Sequence, residues 1–141
     1  MEIIAPKKKS LLKKIAQKYD LELILAFGSQ IGGKARQDSD LDIAVLPGRS
    51  KDFNLDKYSS LISDLSEVFS GKEIDLSFIN KANPLLLKRV CDNALLLSGT
   101  LEKFIEVRLR AFKYFQDYLP YFKLEEMGVR RYLKQLSYGH R

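Results

Sequence analysis

Leu11, Leu12 and Ile15 recur at helical spacing behind Pro6, with lysines on most of the positions between them, which predicts a short amphipathic helix ending near Tyr19 and Asp20. Leu21 to Phe27 is a β-favouring run stopped by Gly28, and Leu41 to Leu46 predicts a second strand closed by Pro47 and Gly48. Asn54 can cap a helix running to about Phe69, because Leu55, Tyr58, Leu61, Ile62, Leu65 and Phe69 fall on one face and Ser70-Gly71 ends it. Glu73 to Ile79 predicts a third strand. Asn83 and Pro84 form a cap and first-turn pair for a helix expected to reach about Leu97, with Gly99 ending it. From Leu101 the pattern is helical again, with a break expected at Pro120 and a restart from about Glu125 to Leu136.

This alternation predicts an α/β or α+β fold: helices covering a small sheet of three strands, followed by a C-terminal helical tail. Periodicity leaves open whether the sheet is parallel or mixed. The 141 residues hold no tandem copies, so one domain is expected, with its core at about 1–99 and the tail at about 100–141. The longest apolar runs are a few residues, against roughly 20 for a membrane span. Lys13 and Lys14 interrupt any apolar leader core, so the expectation is a cytoplasmic protein with no membrane partner.

Composition narrows the chemistry. With one cysteine, Cys91, and one histidine, His140, there is no disulfide framework, no Cys/His zinc cluster and no well-placed serine triad. Catalysis would have to run on carboxylates, hydroxyls and Lys/Arg, with oxygen-liganded metal. The net charge of +6 is uneven: residues 1–18 carry six Lys and one Glu, residues 101–141 nine basic and five acidic residues, and the middle nine basic and twelve acidic. The candidate chemistry lies in that acidic middle.

There, Gly28-Ser29 follows a strand, Asp40-Leu41-Asp42 leads into the next, and Asp75 sits in the third. Strand residues two apart point the same way, so Asp40 and Asp42 project together while Leu41, Ile43 and Val45 face the core. Asp75 alternates with Ile74 and Leu76 on a strand expected to be mostly interior. If the second and third strands are neighbours, three carboxylates meet, and their repulsion calls for divalent cations. Oxygen-only ligands suit Mg²⁺ or Mn²⁺, and paired ions of this kind stabilise the attacking and leaving oxygens of phosphoryl transfer. Gly28-Ser29 supplies a turn where phosphate can approach backbone N–H groups and a hydroxyl. Separately, Asp-x-Asp and Gly-Ser are commonplace turn sequences; their order and spacing are what restrict the reading.

The stretch from Phe27 through Gly28, Ser29, Asp40 and Asp42 to Ile43 resembles the signature of the DNA polymerase beta nucleotidyltransferase superfamily. More narrowly, together with Asn83-Pro84 opening an apolar helix, Gly99, and the Arg/Tyr pattern of Phe104 to Tyr118, it resembles the minimal nucleotidyltransferase (MNT) antitoxins paired with HEPN toxins. The resemblance implies the polymerase-beta-like fold with its small mixed sheet. It also implies that Gly28 and Ser29 hold a nucleotide's triphosphate, that Asp40 and Asp42 bind both metals, and that Asp75 binds the catalytic metal and helps activate the acceptor hydroxyl. Many relatives carry Arg or a bulky residue where this chain has Gln30 and Gly32; Lys34 and Arg36 are the nucleotide-binding residues expected to stand in. The implied activity is Mg²⁺-dependent transfer of AMP from ATP to a tyrosine of a HEPN-family ribonuclease toxin. The rival readings are an antitoxin that only binds its toxin, and a transferase for a small molecule or an RNA end.

Nine of the fifteen Phe and Tyr residues lie beyond residue 100. Phe112 and Phe115 are expected to pack on the sheet, whereas Tyr114 and Tyr118 share a helical face with Arg110 and suit a docking surface. The Lys7 to Lys18 cluster reads first as a solvated helix face and second as a surface for RNA or an acidic partner. Cys91 is expected in the core.

Overall fold

A computed structural model describes residues 5–28, 40–48 and 53–139. Along the chain run α1 (Pro6–Lys18), β1 (Leu21–Phe27), β2 (Leu41–Pro47), α2 (Leu55–Val68), β3 (Ile74–Phe78), a short 3₁₀ turn (Ile79–Lys81), α3 (Pro84–Asp92), β4 (Leu95–Ser98) and α4 (Leu101–Gly139). The two asparagines close their helices as the sequence predicts. Asn54 Oδ1 accepts the Lys57 N–H at 2.8 Å and Asn83 Oδ1 accepts the Leu86 N–H at 2.8 Å, each cap being worth about 1 kcal/mol.

The sheet is mixed, in the order β3-β2-β1-β4. β1 is antiparallel to β2 and β4, and β2 is parallel to β3. Leu21, Ile24, Leu41, Ile43 and Val45 pack on one face against Leu12 and Ile15 of α1 and Leu61 and Leu65 of α2. Leu23, Leu25, Phe27, Ala44 and Leu46 pack on the other against Leu87, Val90 and Cys91 of α3 and Phe104, Val107 and Ala111 of α4. Because both faces are covered, the β1 sequence is a nearly unbroken apolar run instead of an alternation. No polar residue among those described is fully buried. The two outer helices are tied together at Asp64, which accepts the Tyr19 hydroxyl at 2.7 Å and the Lys18 ammonium at 3.0 Å. Burial pushes the Asp64 carboxyl up, but those two hydrogen bonds and the Lys18 charge outweigh it and hold it below its ordinary value.

Two expectations are corrected. The helix opened at Asn83 stops at Asp92, and Leu95–Ser98 is a fourth strand, paired with the open edge of β1 through Leu96 opposite Leu25. A short leucine run fits either a buried helix or a buried strand, and the free edge of β1 decides it. Gly99 then turns the chain at φ +121°, where a Cβ would stand 2.5 Å from the Glu22 carbonyl oxygen. The tail is also unbroken, for α4 continues through Pro120. Proline there removes one backbone hydrogen bond at a cost of about 3 kcal/mol. Aromatic pairs bracket the site: Tyr118–Phe122 at 4.6 Å between centroids, Tyr118–Tyr121 at 5.4 Å and Phe115–Phe122 at 5.7 Å. At about 1 kcal/mol each, these three come close to offsetting the loss.

Candidate active site

The carboxylates are placed by strand register. The Leu41 N–H donates to the Glu73 carbonyl at 2.9 Å, which starts the parallel ladder and sets Asp42 directly beside Asp75. Directly paired residues of parallel neighbours project to the same side. For Asp42 that side carries Ala44 and Leu46, the side covered by α3 and α4. On its other flank Asp42 pairs with Phe27, the last residue of β1, so Gly28 begins its turn against the Asp42 side chain. Gly28 has φ +86°, and a Cβ there would overlap a carboxylate oxygen of Asp42. Only glycine fits this position without displacing the acid.

The Asp42 carboxyl is held above the ordinary carboxylate value. Burial is the first cause, a hydrogen bond with the Asp75 carboxyl the second, and the charges of Asp75 and Asp40 add to it, while the Arg89 guanidinium works against it. Asp42 and Asp75 thus stand side by side on neighbouring strands, each carboxyl felt by the other, and Asp40 is close enough for its charge to be felt. Among the described residues, no three carboxylates, imidazoles or thiols stand close enough together to hold an ion as they are. The structure therefore sets two of the three predicted acids side by side on paired strands and the third near them. Asp75 is exposed on edge strand β3 instead of lying in an interior strand, which corrects that expectation and opens it to a bound molecule. A pair of carboxyls side by side, one of them held above its ordinary value and both offering only oxygen donors, fits an oxygen-preferring divalent cation. Ser29, Lys34 and Arg36 lie outside the described residues.

Arg89 is the residue the sequence reading passed over. It is exposed on α3, whose Leu87, Val90 and Cys91 are buried beneath it. In sequence it is one cation on the polar side of an amphipathic helix, like any solvated lysine or arginine; only the packing of α3 across the sheet brings its charge to Asp42. Cys91 is 5% exposed, as expected of a core residue, and burial pushes its thiol up to about 11.

A family model described as Polymerase beta, Nucleotidyltransferase matches residues 10–102, which take in all four strands and Asp40, Asp42 and Asp75. Among solved structures, a chain of a toxin–antitoxin complex with AMP-PNP superposes with a TM-score of 0.72 at 22% identity, covering 86% of this chain and 98% of that one. A chain of the MntA–HepT toxin–antitoxin complex gives 0.68 at 20% identity, covering 89% and 99%. A chain of the complex of tri-AMPylated Shewanella oneidensis HEPN toxin with MNT antitoxin gives 0.67 at 20% identity, covering 88% and 97%. At these identities the likeness is one of fold. No curated protein matches the chain. No described helix is long and apolar enough to cross a membrane.

Proposed function

Because the chain belongs to the polymerase beta nucleotidyltransferase family, we propose that it transfers AMP from ATP to a tyrosine hydroxyl of a partner HEPN-family toxin, in the cytoplasm, as the antitoxin of that pair. The observation that carries the reading is the register-paired Asp42 and Asp75 beside the left-handed turn at Gly28. The toxin–antitoxin complexes that share the fold supply the partner class.

Asp42 and Asp75, with Asp40 beside them, would hold Mg²⁺ or Mn²⁺. Bound there, the metal would supply Lewis-acid stabilisation of the charge that develops on phosphoryl oxygens. Gly28 and Ser29 bind the triphosphate, the glycine by leaving its backbone open to phosphate oxygens. Lys34 and Arg36 are proposed to add contacts to it, and Arg89 adds positive charge on the α3 side. Asp75, the more open acid, faces the acceptor and takes the hydroxyl proton as the hydroxyl oxygen bonds to the α-phosphorus. The bond from the α-phosphorus to the bridging oxygen breaks, AMP stays on the acceptor, and pyrophosphate leaves.

Calorimetry tests the site. ATP should bind in Mg²⁺ and lose at least tenfold in affinity in EDTA, because the triphosphate then meets uncompensated carboxylates. Asp42→Asn should abolish transfer while leaving the thermal midpoint near that of the wild type. Equal affinity with and without metal overturns the carboxylate assignment.

A further inference from the structure

β4 is one edge of the sheet, at the far end from β3 and its Asp75. In an antiparallel strand each residue turns its N–H and C=O to the same side, so every second residue of β4 directs both away from β1. Among the described residues no strand pairs with that side. Natural edges are commonly blunted by charge or proline; neither occurs between Asp92 and Glu102. An open groove runs along this edge, with residues 96–100 as its floor and Lys9, Lys13, Gln17 and Asp20 on its α1 wall. Leu96 and Ser98 are half-buried in it, and Lys9 and Lys13 are exposed. The lysines of α1 differ by side. Lys18 pairs with Asp64 of α2 at 3.0 Å and Lys8 lies over the Phe69 ring. Lys9 and Lys13, on the β4 side, have no acidic partner among the described residues.

We propose that this groove takes an extended acidic segment of another protein, which adds to β4 as a fifth strand. Main-chain hydrogen bonds to the β4 edge supply affinity, and the two lysines supply selection. Their spacing says which segment fits. Lys9 and Lys13 are four residues apart on a helix, about 6 Å along its axis. Alternate residues of a strand are about 6.7 Å apart and project to the same side. Two carboxylates separated by one residue therefore match the two ammonium groups, and the residue between them points to the other face of the sheet. Asp20, on the same wall, disfavours a continuous polyanion such as single-stranded nucleic acid. A second copy of this chain suits the edge less well. Pairing β4 with β4 about a two-fold axis sets two α1 helices on one face of the joined sheet, each with six lysines against one Asp20. The groove and Asp75 lie on opposite edges, so binding here does not depend on the nucleotide chemistry proposed above.

Fluorescence anisotropy of the purified full chain with a fluorescein-tagged peptide, Thr-Val-Glu-Val-Glu-Val-Thr, tests this. Saturable binding is expected, with amide chemical-shift changes concentrated on residues 95–100 and on α1. Glutamine in place of both peptide glutamates should weaken binding about tenfold at low salt. N-methylation of alternate peptide amides should abolish binding in one phase and spare it in the other, because a fifth strand bonds along one edge only. Lys9→Glu with Lys13→Glu should weaken the glutamate peptide at least tenfold with unchanged circular dichroism, and should bind the peptide that carries lysine at those two places better than the wild type does. No saturation at millimolar peptide, the same effect of N-methylation in both phases, equal displacement by an oligothymidine of matched charge, or a dimer of the free chain joined through β4 would overturn the proposal.

Discussion

Substituting Gly28 by alanine probes the site through two separable effects. The backbone is at φ +86°, where an L side chain costs about 1–2 kcal/mol. The added Cβ also overlaps a carboxylate oxygen of Asp42, so that side chain must shift from its place. The backbone cost alone should lower the thermal midpoint by about 3–8 °C in a domain of this size. The overlap should add about 1 kcal/mol more. A double-mutant cycle separates them. In an Asp42→Ala background the overlap disappears, so Gly28→Ala should cost less there by that last kilocalorie, a coupling typical of residues in contact. Differential scanning calorimetry on the four proteins gives the cycle, and calorimetric titration should show ATP affinity of the single variant down at least tenfold. If Gly28→Ala is neutral, or costs the same with and without the Asp42 side chain, the glycine is not shaped around that acid.

Arg89→Ala should weaken ATP binding about three- to tenfold at low salt and little at high salt, because it removes one exposed charge and no packing; an unchanged titration removes Arg89 from the site. Tyr19→Phe should cost about 1 kcal/mol at neutral pH. Since the Asp64 carboxyl is held below its ordinary value, that contribution is full above about pH 4 and should shrink as pH falls through the lowered value; denaturant melts at neutral and acid pH read it, and an equal cost at both contradicts it. Cys91 should resist a thiol reagent in the native protein and react on unfolding. Because the folded thiol ionises only near 11, while an unfolded one does so near 8.5–9, stability should decline across that interval in the wild type and not in Cys91→Ala.

Much of this arrangement is legible in the residues because it is locally encoded. The caps at Asn54 and Asn83, the stop at Gly28 and the break at Pro47 each act through their own backbone and turn out where the spacing puts them. Asp42 and Asp75 could be singled out as candidates, but only the parallel pairing of β2 and β3 makes them neighbours. The misreadings come from tertiary context. Leu95 to Leu97 became a strand because β1 had an edge to fill, α4 survives Pro120 because aromatic rings brace both sides of it, and Arg89 reaches Asp42 only through the way α3 lies on the sheet.

Intact-mass spectrometry of the protein encoded beside this one, after incubation with the chain, ATP and Mg²⁺, tests the central claim most directly. Each transferred AMP should add about 329 Da to the neighbour, because attack on the α-phosphorus leaves the nucleoside monophosphate attached. Asp42→Asn should erase the shift, and Tyr→Phe at the modified position of the neighbour should do the same. A neighbour inhibited by the chain but unchanged in mass, or a shift that survives Asp42→Asn, would contradict the account.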